Sequence, residues 1–128
     1  NYFNNLPEIN KGKKKPVYAS SHFVIGLTGQ IIQCIPLEEI AYTSNERNYD
    51  TISIECCHPD KTGKFNEATY KALAELTAYL CIRYDLEAED VIRHYDVTGK
   101  LCPLYYVEHE DKWMQFLSEL ENELTYNN

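Results

Sequence analysis

The first clear pattern along the chain is a β-hairpin between residues 22 and 35. The sequence HFVIGLTGQIIQCI has two stretches rich in β-branched residues, and a Gly-containing turn at 27–30 separates them. Upstream, NYFNNLPEI predicts the last turns of a helix and KGKKKPVYASS a basic loop. Downstream, the polar residues 36–50 predict a long surface loop with one short helical turn.

A second pattern is the strict alternation of TISIECC, residues 51–57. It predicts a β-strand with Ile52, Ile54 and Cys56 on one face and Glu55 on the other. The acidic side chain then lies on the polar face near the end of a strand, a pattern that exposed sheet faces also produce.

Two long helices follow from hydrophobic positions spaced three and four residues apart. The first is predicted from Glu67 to Tyr84, with Asn66 as its N-cap and an apolar stripe that contains Ala72, Leu73, Leu76, Leu80 and Tyr84. The second contains Trp113, Phe116, Leu117, Leu120 and Leu124. Between the helices, DLEAED predicts a turn and VIRHYDV, residues 91–97, a short strand. Strands that alternate with long helices indicate an α/β fold, and the length fits a single domain over residues 1–128.

Composition and charge restrict the classes of function. The chain carries a net charge of −8 at pH 7, which argues against nucleic acid as a partner because phosphates require a basic face. The basic run KGKKK at 11–15 is predicted to lie in a solvated loop. No apolar stretch approaches the roughly 20 residues of a membrane span.

The five cysteines, at positions 34, 56, 57, 81 and 102, form neither a disulfide framework nor a zinc-knuckle pattern. Their number is odd and no C-x-x-C pair occurs, so most are predicted to be buried small hydrophobic side chains. Cys102 is the exception, because it lies in RHYDVTGKLCP, residues 93–103.

The segment RHYDVTGKLCP combines the residue types that a zinc hydrolase uses. His94 and Cys102 offer nitrogen and sulfur, which are both good zinc ligands. Lys100 would favour the thiolate form of Cys102 and could stabilise a developing oxyanion. Glu55 could transfer protons if its strand neighbours this segment. Only one ligand is then lacking, since a catalytic zinc site has three. The same pair also fits a thiol hydrolase, with Cys102 as nucleophile and His94 as base.

Three segments in this order, SSHFVIGLTGQIIQCIP, NYDTISIECCHP and RHYDVTGKLCP, resemble the zinc-dependent N-acetylmuramoyl-L-alanine amidases of phages and bacteria. These enzymes are relatives of the peptidoglycan recognition proteins, and the resemblance spans nearly the whole chain. It implies a mixed central β-sheet flanked by helices. It also implies cleavage of the amide between the lactyl group of N-acetylmuramic acid and L-alanine of the peptidoglycan stem peptide.

The resemblance further implies roles for individual residues. It assigns His94 and Cys102 as zinc ligands. It assigns Glu55 as the catalytic acid and base, and Lys100 as the group that stabilises the tetrahedral intermediate.

The sequence departs from the family in three ways. The family's first zinc histidine lies on a strand upstream of the segment that resembles NYFNNLPEI, so we expect the domain to be truncated at the N-terminus. Ser21 and Thr43 stand where many members carry a tyrosine and a histidine. Among the other histidines, His22 corresponds to a residue that packs rather than ligates, while His58 and His109 head a turn and a helix.

Substrate and partners are implied by the same resemblance. Arg47 and Asn48, just ahead of the glutamate strand, lie where the family lines its groove for peptidoglycan. The expected place of action is the cell wall, outside the cell or after release from the cytoplasm for a phage endolysin. A missing strand would expose unpaired backbone groups, which predicts a homodimer through that sheet edge or marginal stability. A non-catalytic peptidoglycan-binding module on the same fold stays open as an alternative.

Overall fold

The structure is a computed structural model that describes residues 21–42 and 45–126. The helix end and basic loop predicted before residue 21 lie outside the described residues, as does Thr43. Three short strands form one sheet: β1 (Phe23–Ile25), β2 (Ile31–Gln33) and β3 (Ile54–Cys56). The helices are α1 (Glu67–Tyr84), α2 (His94–Thr98), α3 (Leu104–Glu108) and α4 (Glu110–Tyr126), with 3₁₀ helices at Asn45–Asp50 and Ala88–Asp90.

The sheet is mixed, as the sequence predicts. Its strand order is β2-β1-β3, with β1 antiparallel to β2 and parallel to β3. The predicted hairpin is confirmed, and the N–H of Gly26 donates to the carbonyl of Gln30 at 2.9 Å across the turn. Gly29 has a φ of 82°, and a Cβ there would lie 2.9 Å from the carbonyl oxygen of Ala68. The turn therefore requires glycine for both backbone angle and space.

Helix α1 has the predicted bounds and is buried on two faces. Asn66 caps it, because its Oδ1 accepts a hydrogen bond from the N–H of Thr69 at 2.9 Å. Leu76 and Leu80 pack against β1 and β3, whereas a second buried face, which contains Cys81, packs against α4. The prediction that Tyr84 continues the buried stripe is wrong, since it is 41% exposed in the last turn.

Helix α4 is confirmed as an amphipathic helix. Its buried residues are Trp113, Phe116, Leu120 and Leu124, at the predicted spacing. The aromatic pair at its start packs with Phe65 and Tyr106, while the two leucines pack against α1. Within the described ranges, no helix is long and apolar enough to cross a membrane.

The short strand predicted at 91–97 is wrong, because this segment forms α2. The N–H of Arg93 donates to the carboxylate of Asp96 at 2.8 Å, which satisfies a backbone donor at the helix start. Gly99, with a φ of 80°, ends the helix. His94 is thus the first residue of a helix rather than the end of a strand.

Strand β3 is shorter than the predicted 51–57, but its two faces are as expected. Ile52, Ile54 and Cys56 all pack against the core that β1 and α1 form. Glu55 pairs with Val24 in the parallel register. Side chains alternate along a strand, so Glu55 lies on the sheet face opposite α1.

Candidate active site

The site is built on the face of β3 that points away from α1, where Glu55 is partly buried. Burial raises the pKa of this carboxyl above its usual 4.5, and the charges of Lys100 and His58 partly offset the increase. A buried carboxyl near cations can hold or release a proton closer to neutral pH than an exposed one.

A loop closed by one hydrogen bond carries the other three predicted residues. His94 begins α2, Lys100 follows Gly99 at its end, and Cys102 comes two residues later. The N–H of Tyr95 donates to the carbonyl oxygen of Cys102 at 3.1 Å. The chain thus returns to the start of α2, and Cys102 comes back towards His94.

Lys100 acts electrostatically on all three of its predicted partners. Its charge lowers the pKa of Glu55 and of Cys102, and it adds to the effect of burial in lowering the pKa of His94. Glu55 in turn raises the pKa of Cys102, although burial is the larger cause. The charge of Lys100 therefore acts on each of the other three predicted site residues.

The chemistry of His94 and Cys102 fits a zinc ion. Metal binding needs neutral imidazole and thiolate, and the lowered pKa of His94 favours the neutral ring. The raised pKa of Cys102 favours the thiol, so a bound cation would be needed to complete its ionisation. Within residues 21–42 and 45–126, no group of three or more histidine, cysteine or acidic side chains could hold a metal. The pair would therefore supply two ligands of a set that needs another, and its role as a zinc-ligand pair stays a prediction.

His22 is excluded as the missing ligand by its hydrogen bonds. It is 1% exposed, its Nε2 lies 2.6 Å from the carbonyl oxygen of Glu39, and its Nδ1 accepts from the N–H of Ser53 at 3.1 Å. Both ring nitrogens are occupied, so the side chain packs, as expected. Ser21, which replaces the family's tyrosine, is also buried and donates to the carbonyl of Phe23 at 2.9 Å.

Arg47 and Asn48 lie on the 3₁₀ helix before β3, and this helix contacts α2. Arg47 is 44% exposed and forms a bidentate ion pair with Asp50, at 2.8 and 3.0 Å. The ion pair holds the guanidinium in a fixed orientation at the edge of the site. Their contact with substrate stays a prediction.

Sequence reasoning missed Arg93, which holds the start of α2 in place. Its side chain is 6% exposed and binds the carboxylate of Asp96 through two nitrogens, at 3.1 and 2.9 Å. Its Nη1 donates to the carbonyl of Tyr106 and to Glu110, both at 2.8 Å. The guanidinium also lies 5.3 Å from the ring centroid of Trp113. One pattern in the sequence could have indicated this ion pair: Arg93 and Asp96 lie three residues apart, on either side of His94.

Comparison with known proteins gives a family match. Residues 2–104 match the family model Amidase_2, described as N-acetylmuramoyl-L-alanine amidase. The N-acetylmuramoyl-L-alanine amidase CwlL of Bacillus licheniformis is 32% identical over 121 residues, covering 85% of this chain and 33% of the relative. The amidase BlyA of Bacillus subtilis strain 168 is 28% identical over 130 residues, covering 85% and 35%. This chain therefore spans about a third of the length of these curated relatives.

A solved structure supports the fold. The structure of PlyL superposes with a TM-score of 0.72 at 24% identity, covering 90% of this chain and 74% of that chain. A mutant of PlyL gives the same TM-score at 22% identity, with coverages of 92% and 75%. The arrangement of sheet and helices described above is thus shared with PlyL.

Proposed function

Because this chain belongs to the N-acetylmuramoyl-L-alanine amidase family Amidase_2, we propose that it hydrolyses the amide between N-acetylmuramic acid and L-alanine of the peptidoglycan stem peptide, with zinc as its cofactor. The observation that carries the proposal is the hydrogen bond from the N–H of Tyr95 to the carbonyl oxygen of Cys102, which brings Cys102 back to the start of α2, where His94 lies. A base, a cation and two ligands in one neighbourhood are what zinc-assisted amide hydrolysis needs. Its place of action is then the cell wall.

In this proposal His94 and Cys102 hold the metal with a ligand from outside the described residues. Bound zinc supplies a Lewis acid that makes water a nucleophile near neutral pH. Glu55 takes a proton from the attacking water and passes it to the leaving nitrogen of L-alanine. Lys100 offers its ammonium group to the negative charge that develops on the carbonyl oxygen. Arg47 and Asn48 contact the substrate at the edge of the site.

The raised pKa of Cys102 argues against the alternative of a thiol hydrolase. Nucleophilic cysteines have a lowered pKa in an electropositive environment, whereas burial and Glu55 act in the opposite direction here. Activity that survives EDTA but is lost to iodoacetamide would nevertheless support the thiol mechanism. The zinc mechanism requires EDTA to abolish activity and added zinc to restore it.

One observation favours a second candidate, a non-catalytic peptidoglycan-binding module. The described residues provide no cluster of three metal-binding side chains. Zinc content and the release of stem peptides with new L-alanine amino groups from purified peptidoglycan separate the two functions. The amidase requires both, together with loss of release in Glu55→Gln. A protein that binds peptidoglycan but retains no zinc and releases nothing would overturn the hydrolase proposal.

A further inference from the structure

A groove of about 760 Å³ opens between the start of α1 and the helices α3 and α4. Its volume is within the ordinary range for ligand sites. Tyr105 lines it and lies three residues after Cys102 in the chain, so α3 connects the groove to the loop of the proposed site. The groove therefore begins one helical turn after Cys102 in the chain, on the α1 side of the sheet rather than the side that carries Glu55.

Three lysines from different elements converge on this groove, which we call the lysine groove. Lys64 comes from the loop before α1, Lys71 from α1 and Lys112 from α4. All three are exposed. No carboxylate in the described part of the chain forms an ion pair with any of them. In a chain with a net charge of −8, such a concentration of unneutralised positive charge is unusual.

The acidic residues in the groove lining do not neutralise the three lysines, so their positive charge can pair with a ligand. Glu119 is engaged by neutral donors, since the hydroxyl of Tyr70 donates to it at 2.6 Å and the amide of Gln115 at 3.0 Å. Glu67 is the other acidic residue of the lining and lies in the first turn of α1, where the helix dipole favours its charge. Three cations thus face two carboxylates, and one of these carboxylates already has its hydrogen-bond partners.

The aromatic side chains of the lining give the groove a flat apolar wall. The ring of Tyr105 lies 5.6 Å from the Nζ of Lys64, and the ring of Tyr70 packs edge-on against Phe116 at 5.7 Å between centroids. Tyrosine rings contact the apolar parts of peptides and sugars, while their hydroxyls stay at the polar edge. Cations above an aromatic wall suit a ligand with carboxylates on a partly apolar backbone.

We propose that the lysine groove binds the free carboxylates of a peptidoglycan stem peptide, as a second contact with the polymer apart from the site of cleavage. This inference rests on the proposed function, because it takes peptidoglycan as the ligand. The peptide stems repeat along the glycan and carry negative charge, which the net charge of −8 would otherwise repel. Ammonium groups at the groove offset this repulsion locally and orient the polymer.

The first test measures binding without turnover. A free stem tetrapeptide lacks the bond to N-acetylmuramic acid, so it can be titrated into the ¹⁵N-labelled chain. We expect it to shift the backbone signals of Lys64, Lys71 and Lys112. Its fully amidated counterpart should bind roughly tenfold more weakly, because it lacks the charges that pair with the lysines. An absence of shifts at the groove at millimolar peptide would overturn the inference.

Charge reversal tests whether the lysines themselves are responsible. The double variant Lys71→Glu/Lys112→Glu should weaken peptide binding about tenfold or more, with the largest loss at low salt. Lys61→Glu is the matched control, since this exposed lysine is not part of the lining. Equal losses in both variants would mean that only net charge matters and that the groove is not the site. Binding of a glycerol phosphate oligomer at the groove without binding of the peptide would replace the proposed ligand.

Activity measurements keep the two proposals apart. The double variant should raise KM on intact peptidoglycan by a larger factor than KM on a soluble monomeric muropeptide, which offers only one stem peptide. If the wild-type chain releases no stem peptides while the added stem peptide still binds at the groove, the hydrolase proposal fails and the groove stands. If the wild-type chain cleaves peptidoglycan but the stem peptide shifts no backbone signals at the groove, the hydrolase proposal stands and the inference about the groove fails.

Discussion

The backbone N–H of Tyr95 donates to the carbonyl oxygen of Cys102 at 3.1 Å. This hydrogen bond joins the start of α2, which carries His94, to the residue that carries the second proposed ligand. It closes a loop of eight residues in which Lys100 lies, so one local structure presents both ligands and the cation.

Replacing Arg93 by Met should lower the free energy of unfolding by about 2 kcal/mol, because breaking buried ion pairs costs several kcal/mol and these carboxylates are partly exposed. Asp96 is 32% and Glu110 60% exposed, which moderates the loss. Urea denaturation measures the change. Arg83→Met is the matched control, because Arg83 is exposed and should contribute within about 0.5 kcal/mol.

Arg93 should also affect zinc binding, since it holds in place the helix that begins at His94. Arg93→Lys keeps the charge but not the planar fork, so we expect intermediate stability. Zinc content after dialysis should fall in the order wild type, Arg93→Lys, Arg93→Met, under conditions where all three are folded. If Arg93→Met keeps the wild-type zinc content, the side chain stabilises the fold without positioning the ligand.

Glu55→Gln should make the metal-free protein more stable at pH 7. The pKa of Glu55 is raised in the folded state, mainly by burial. Such a group contributes stability below its unfolded pKa of about 4.5, and this contribution is lost as pH rises through the folded value. At neutral pH the buried carboxylate therefore opposes folding, whereas glutamine does not.

The measurement is urea denaturation in EDTA between pH 4 and pH 7, with Glu75→Gln as an exposed control on α1. The advantage of Glu55→Gln should shrink towards pH 4. The same variant should lose about 10²-fold or more in kcat if Glu55 transfers the proton. Unchanged kcat in the zinc-loaded protein would remove Glu55 from the mechanism.

Lys100→Met should lower kcat by roughly 10²-fold to 10³-fold if the ammonium stabilises the developing oxyanion. Zinc is supplied in excess, because loss of this cation also removes a charge that favours the thiolate of Cys102. Lys61→Met controls for a general loss of positive charge. A proportional increase of KM at constant kcat would instead indicate that Lys100 binds the ground state.

Thr69→Val should destabilise the chain by about 1 kcal/mol, since a buried hydrogen bond is lost without a large change in shape. The hydroxyl of Thr69 donates to the carbonyl of Gly26 at 2.8 Å and fixes the hairpin to α1. Thr77→Val in the same helix breaks only a bond to Leu73 within the helix and should cost less. Thermal unfolding of the two variants checks the difference. Equal midpoints would show that the hairpin is held by packing alone.

The elements that the sequence predicts correctly are those determined by local patterns of residues. The N-cap Asn66 and a regular apolar period define α1 without reference to the rest of the chain. The alternation in residues 51–57 likewise determines which face carries Glu55. The chemistry of their side chains singles out His94, Lys100, Cys102 and Glu55 in the sequence, and family resemblance assigns their roles, which stay a prediction.

The wrong predictions concern segments whose conformation or burial depends on contacts with distant parts of the chain. Residues 91–97 look like a strand because Val91, Ile92 and Val97 are β-branched. The helix α2 forms instead around Arg93, whose partners Tyr106 and Glu110 lie 13 and 17 residues away. Tyr84 continues the spacing of Leu76 and Leu80, but the pattern does not show that the α1 residues packed against the sheet end at Leu80.

The short length of β3 has a consequence for how this protein can vary. Inserting or deleting one residue within Ile54–Cys56 would turn Glu55 into the hydrophobic core and bring an apolar side chain to the face that points away from α1. The exposed turn that follows, at 58–62, has no such constraint. Natural length variation among descendants of this sequence should therefore accumulate in that turn and avoid Ile54–Cys56.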